Sequence, residues 1–256
     1  MPPRARPLRR DDQPAFVLHT YPYRETSLIV EALTAEFGRV AMVARGAKRP
    51  RSELRGLLQA FQPLLLSWSG TNELKTLLKA EWRGGLPRVG GSALLCGFYL
   101  NELLLKLLPR EDPHPRLFAT YEAALTELAT GSEQASVLRR FELLLLGELG
   151  YAMTLRNDVD TGAGIDPTAR YHYVFDRGPR RMVGYIAAEA GPNLPVVRGA
   201  TLIALAEQQF NDVETAGEAK RLMRSVLDHH LEQRGVESRR VVQDLQALDD
   251  EGERGD

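Results

Sequence analysis

Apolar residues follow one another along this chain in two rhythms. From residue 15 to 82 they come in short runs divided by turn formers: AFVLHT, then SLIVEALT after Pro22, Arg24 and Glu25, then GRVAMVAR after the turn at 35–38. QPLLLSWS and ELKTLLKAEW follow, joined at Gly70-Thr71-Asn72. Runs of this length bounded by turn residues predict five strands, and residues 53–60 predict one or two helical turns between the third and fourth. Five strands with a helical insert in that place are what a five-stranded Greek-key barrel of the OB type requires. An open α+β sheet is the alternative.

Past Gly84-Gly85-Leu86-Pro87 and Gly90-Gly91 the rhythm becomes helical. Ser92 is a candidate cap for a helix running to about Leu108, where Pro109 ends it. Pro115 opens a second helix through Leu117, Tyr121, Leu125 and Leu128, closed by Gly131. Ser132 with Glu133 opens a third, on which Val137, Leu138, Phe141, Leu144, Leu145 and Leu149 share one face. Leu143 and Leu146 fall on other faces, so this helix is expected at the centre of a helical bundle. Residues 151–195 are polar and rich in glycine. Within them RYHYVF alternates, turns at RGPR and returns through MVGYI, which predicts an isolated β-hairpin. Helices are expected over 199–210, 215–233 and 238–248, and then a solvated tail, DDEGERGD.

The expected organisation is α+β and multidomain. A flexible arm over 1–14 leads into a five-stranded barrel over 15–84. An all-helical domain over 91–248 carries a hairpin insertion at 151–195, and 249–256 is the tail. The run 93–108 is nearly membrane-like, but Asn101, Glu102 and Lys106 interrupt it and it is short of the roughly 20 residues a span needs. The N-terminal MPPRARPLRRDDQP has positive charge but no apolar core, so it does not read as a signal peptide.

Charge sharpens this division. The net charge of −1 conceals 14 basic against 8 acidic residues through Gly85, and 19 against 26 beyond it. A basic front and an acidic back suggest different partners for each. Most of the front's surplus lies in FGRVAMVARGAKRPRSELRGLLQAFQP at 37–63, where an apolar strand breaks at Arg45-Gly46 into a loop bearing Lys48, Arg49, Arg51 and Arg55. A flexible cationic loop at the edge of a sheet is suited to gripping phosphates. A solvated basic turn is the plainer reading.

Catalytic and metal chemistry are not evident. No phosphate-cradling GxxxxGK[ST] or GxGxxG loop occurs. His19, His114 and His172 are scattered, and His229 and His230 are helix neighbours pointing about 100° apart, so they are not expected to ligate one metal. Asp158-Val-Asp160-Thr-Gly162 opens like a calcium loop but lacks its glycine at the sixth position and its closing glutamate. The single cysteine, Cys96, excludes an internal disulfide, fits a reducing cytoplasm, and on an apolar helix reads as an inert core thiol.

The run AFVLHTYPYRETSLIVEALTAEFGRVAMVARGAKRPRSELRGLLQAFQPLLLSW, with the later VLRRFELLLLGELGY, resembles the RecO family of bacterial DNA repair proteins. The resemblance extends over nearly the whole chain, including Ser238-Arg239-Arg240. It implies a cytoplasmic, nucleoid-associated, non-enzymatic recombination mediator of the RecF pathway. Such a protein binds single- and double-stranded DNA, anneals complementary strands, partners RecR and the acidic C-terminal tail of SSB, and helps RecA load on SSB-coated DNA. Many relatives carry a four-cysteine zinc module where this chain has residues 151–185 without cysteine, so neither zinc nor another cofactor is expected.

The candidate DNA contacts are Arg24, Arg39, Arg45, Lys48, Arg49, Arg51, Arg55, Lys75 and Lys79, with Phe37, Tyr21 and Tyr23 as candidate stacking rings. The resemblance places an SSB contact near VLRRFE. There Arg139 and Arg140 stand beside Phe141 in a region of negative balance, and a tail ending in an apolar residue and a carboxylate needs a guanidinium and an apolar slot. Only one of the two arginines can face such a slot. Arg139 is favoured, with Tyr121, Leu125 and Leu128 as walls. Two other functions fit the same residues: a protein–protein adaptor whose basic loop is incidental, and an RNA-binding OB protein, since phosphates and stacked bases look alike to a barrel.

Overall fold

The run Ala15-Phe16-Val17-Leu18 is apolar at every position, so a strand built from it must be covered on both faces. The computed structural model, which describes residues 8–182, 194–210, 212–231, 236 and 238, shows both covers. Strand β1 (Arg9–Tyr23) turns Ala15 and Val17 into a closed barrel, while Phe16, on its other face, is fully buried. The barrel is completed by β2 (Ser27–Thr34), β3 (Gly38–Ala44), β4 (Pro63–Ser69) and β5 (Leu74–Trp82), in the order β1-β2-β3-β5-β4. All pairings are antiparallel except β3 with β5. The five-stranded barrel of the OB type is thus present, and its insert is α1 (Leu54–Leu57), a single turn.

β1 begins at Arg9, which shortens the expected flexible arm. Arg9, Arg10 and Gln13 pair with β4 across a register shift. At the shift Asp12 takes a φ of 49° and donates its N–H to Ser67 Oγ at 2.9 Å. Pro14 has no N–H to give, yet its carbonyl accepts from Ala35 at 3.2 Å. Charge and proline concealed a strand that lies at the barrel's rim.

Helices α2 (Ala93–Leu107) and α3 (Pro115–Ala129) cover the outer face of β1. The Phe16 ring lies 5.5 Å from Phe118 and 5.3 Å from Tyr121. Buried Asn101 donates to the Leu18 carbonyl at 2.9 Å and accepts from the Tyr121 hydroxyl, so both of these buried side chains are hydrogen-bonded. Gly38 is required where the chain passes this cover. Its φ is +64°, and a Cβ there would lie 2.0 Å from the Asp112 carbonyl oxygen. The barrel, α2 and α3 therefore belong to one compact unit, which takes in 1–131 and 236–256; the second unit is 132–235. Among the described residues no helix is long and apolar enough to cross a membrane.

The second unit contains α4 (Gln134–Glu148), a three-stranded sheet of β6 (Arg170–Val174), β7 (Gly178–Arg181) and β8 (Val196–Arg198), α5 (Gly199–Glu207) and α6 (Val213–His230). Glu133 rather than Ser132 caps α4, its carboxylate accepting from the Ala135 and Ser136 amides. The hairpin is not isolated, because β8 pairs with the free edge of β6. Its return strand comes earlier than expected, since Asp176, at φ 61°, tightens the turn. Residues 183–186 of the expected return, the helix over 239–248 and the tail lie outside the described residues. Asp158 does not open a calcium loop. One oxygen accepts from the Asp160 and Thr161 amides and the Thr161 hydroxyl, and the other takes the Arg181 amide at 2.6 Å. The two helix-neighbour histidines also depart from expectation: His229 Nε2 lies 3.1 Å and His230 Nε2 3.8 Å from the Asp176 carboxylate.

Candidate nucleic-acid interface

The basic loop is held to the barrel by its one small apolar residue. After β3 the chain turns at Gly46, φ +72°, where the Arg49 amide closes back on the Gly46 carbonyl at 3.0 Å. Ala47, fully buried, belongs to the barrel core, and Leu54, Leu57 and Leu58 of the α1 segment pack against the same core. Two further turns follow, Ser52 N–H to Arg49 carbonyl at 3.0 Å and Arg55 N–H to Ser52 carbonyl at 3.1 Å. The loop is pinned at its root rather than flexible throughout.

The Lys48 amide donates to the Thr26 carbonyl at 2.9 Å, tying this loop to the β1–β2 turn that carries Arg24. Arg24, Arg45, Lys48, Arg49, Arg51 and Arg55 are all exposed. Among the described residues none of the six makes an ion pair or a side-chain hydrogen bond; Arg24 rests its guanidinium 5.1 Å from the Tyr23 ring. Six unneutralised cations at one end of the barrel form an anion-attracting surface whose charges are available to solvent.

The other three candidate cations are engaged elsewhere. Arg39, 14% exposed, pairs with Glu31 at 3.0 Å and donates through Nε to the Leu108 carbonyl at 2.9 Å. Lys75 is buried, with Nζ 2.7 Å from both Glu111 and the Asn72 carbonyl. Lys79 lies 2.7 Å from Glu81 and 3.6 Å from Asp12, and the Glu81 hydrogen bond raises its pKa above the ordinary lysine value. Arg39 and Lys75 tie the barrel to the segment that follows α2. Sequence reasoning missed Arg110, the second partner of Glu31, which also reaches Glu73 at 2.5 Å.

The aromatic candidates divide in the same way. Tyr21 is exposed and Tyr23 half-buried, both near the cationic end of β1. Phe37 lies in the β2–β3 turn at the opposite end, edge-on to buried Trp68 at 5.4 Å, with Arg10 over its ring at 4.7 Å. The adjoining cleft of about 220 Å³ is below the 300–1,000 Å³ usual for small-molecule sites. Phe37 is therefore packing. Trp82, 63% exposed on β5, is an available ring that the sequence reading passed over.

The residues expected to form the SSB slot are mostly interior. Tyr121, Leu125 and Leu128 are at most 3% exposed in the first unit. Phe141 is buried in the second, and Arg139, 7% exposed, pairs with Glu142 at 2.5 Å one helical turn on. The favoured Arg139 does not present an open guanidinium; of the pair, half-buried Arg140 is the more accessible.

The sequence pattern described as Recombination protein O N terminal matches residues 10–86, and that described as Recombination protein O C terminal matches 90–240. The chain belongs to the RecO family. It is 51% identical over 240 residues to the DNA repair protein RecO of Azoarcus sp. (strain BH72), covering 94% of this chain and 98% of that one. Over 246 residues it is 50% identical to the DNA repair protein RecO of Burkholderia pseudomallei (strain 1710b), covering 96% and 88%. The same name belongs to the relative from Nitrosospira multiformis (strain ATCC 25196 / NCIMB 11849 / C 71), 51% identical over 242 residues. Family membership places the chain among DNA repair proteins.

Proposed function

We propose that this RecO-family protein is a recombination mediator that holds single- and double-stranded DNA at the cationic end of its barrel and anneals complementary strands. The observation that carries this reading is the set of six exposed cations, Arg24, Arg45, Lys48, Arg49, Arg51 and Arg55, that no carboxylate neutralises among the described residues. Annealing needs no bond-making step. Lysine and arginine that neutralise phosphates lower the repulsion between two strands, and a grip on the backbone leaves base edges free to pair. Tyr21, Tyr23 and Trp82 are candidate platforms for unpaired bases, a role tolerant of sequence.

In this reading the protein also meets SSB and RecR and helps RecA replace SSB on gapped DNA. Arg140 is the candidate guanidinium for the SSB tail in place of Arg139.

The deciding experiment measures fluorescence anisotropy of labelled single-stranded DNA against salt, for the full chain and for the triple variant Lys48→Ala, Arg49→Ala, Arg51→Ala. Each phosphate contact contributes a slope of roughly −0.7 in log affinity against log salt, so losing three flattens the slope by about 2. The variant should bind every sequence more weakly and keep the wild-type melting temperature, because all three side chains are exposed. Wild-type affinity and slope in the variant would remove the loop from the DNA site.

A further inference from the structure

The second unit places two imidazoles and a carboxylate together where sequence spacing forbade it. Adjacent residues on a helix diverge by about 100°, yet one Nε2 from each of His229 and His230 faces the Asp176 carboxylate, at 3.1 and 3.8 Å. Both histidines sit in the last turn of α6, and Asp176 sits at the tip of the β6–β7 hairpin, 53 positions from His229. Asp176 reaches them from a left-handed φ of 61°, a conformation aspartate tolerates better than most residues. The Phe175 ring lies flat against His229 at 4.5 Å and 10°, and Tyr151 against His230 at 4.2 Å and 26°. Two stacked supports therefore fix the imidazole planes.

We propose that Asp176, His229 and His230 form a binding site for a late first-row divalent cation, with zinc the reference ion. The three donor atoms lie within 4.8 Å of one another. Zinc bonds of 2.0–2.1 Å in tetrahedral geometry put ligands roughly 3.3 Å apart, so closure requires side-chain movement of up to about 1.5 Å, with Asp176 and His229 exposed and His230 half-buried. Imidazole with carboxylate suits zinc, copper or nickel, whereas an all-oxygen set would suit calcium or magnesium.

Arg177 lines the cleft beside this site together with Asp176 and His230, and its guanidinium lies 3.5 Å from Asp160. The fourth coordination position faces a cleft of about 230 Å³ between Tyr151, Thr154, Tyr173 and Val226, open to water. The ion would clip the hairpin tip to the end of α6, reinforcing a contact that His229 already makes with Asp176. The protein therefore folds without it.

The test uses the untagged full chain, dialysed against a chelator and then titrated with Zn²⁺, and separately with Co²⁺ for its visible absorption. One ion per chain should bind, with a cobalt spectrum of nitrogen and oxygen ligands and a raised melting temperature. Asp176→Asn keeps the shape and the left-handed preference, and His229→Gln and His230→Gln each remove one donor. Each should weaken binding about tenfold or more, since even outer partners of metal ligands contribute 10–100-fold. His172→Gln, on β6, should bind as wild type. Circular dichroism establishes that each variant is folded. Equal affinity in the wild type and all three folded ligand variants would overturn the proposal. So would a wild type that takes up no stoichiometric ion.

Discussion

Glu31 is 2% exposed, and two guanidiniums face it: Arg39 across the β2–β3 pair and Arg110 from the segment after α2. A buried charge stripped of its counter-charge costs about 3–5 kcal/mol. Glu31→Gln, or Arg39→Ala, should therefore lower the melting temperature markedly while leaving the salt slope of DNA binding unchanged. This is the reverse of the pattern expected for Lys48, Arg49 and Arg51. Denaturant unfolding alongside the DNA titration separates the two kinds of cation. In the sequence all nine candidates look alike: Glu81 is two positions from Lys79, but the carboxylates that engage Arg39 and Lys75 are brought to them by the fold. Glu31 is 8 positions from Arg39, and Glu111 is 36 from Lys75. Composition reveals a basic loop; it does not reveal which charges the fold has already used.

At the scale of elements, strands and helices were legible wherever a period or a cap announced them. Ala15 to Trp82 alternated or ran apolar between turns, and Pro115 and Gly131 bounded α3. Arg9–Gln13 were missed because polar residues at a barrel rim show no period, and β8, three residues long, is too short to show one. The 151–182 segment was opaque for another reason: its order comes from side chains bonding to backbone. Burial alone would raise the Asp158 pKa, but the Arg181, Thr161 and Asp160 donors outweigh it and hold the carboxyl below the ordinary range. A depressed folded pKa adds stability that is full above the unfolded value of about 3.9 and is lost as pH falls through the folded one. The protection of the Arg181 amide, taken relative to its intrinsic exchange rate at each pH, should accordingly fall in acid below that range. Asp158→Asn should exchange faster already at neutral pH and lose the acid dependence. Equal protection in both proteins at neutral pH would show that Asp158 does not hold the hairpin.

Taken as a whole, the molecule divides where packing rather than glycine content puts the boundary. The sequence signalled a linker at Gly84–Gly91, and the family patterns also meet there, at 86 and 90. Yet Phe16 is wholly buried with Phe118 and Tyr121 beside it, and the compact unit runs on to Gly131. A fragment of residues 1–86 would expose Phe16 and leave Glu31 without Arg110. It should melt well below a fragment of residues 1–131, as calorimetry of the two would register. Equal stability would mean that α2 and α3 are passengers on the barrel.

The Ala47 anchor has a consequence for how a polymer is met. A long loop fastened only at its ends sweeps a wide volume, and a ligand must first still it. With Ala47 buried in the barrel's interior near its start, this one becomes shorter tethers whose charged tips sweep less volume. Nucleic acid presents its phosphates at a regular interval whatever its bases. Charges held near a common root can engage such a rack at any register and release it to slip along by one, which is what the proposed annealing would use.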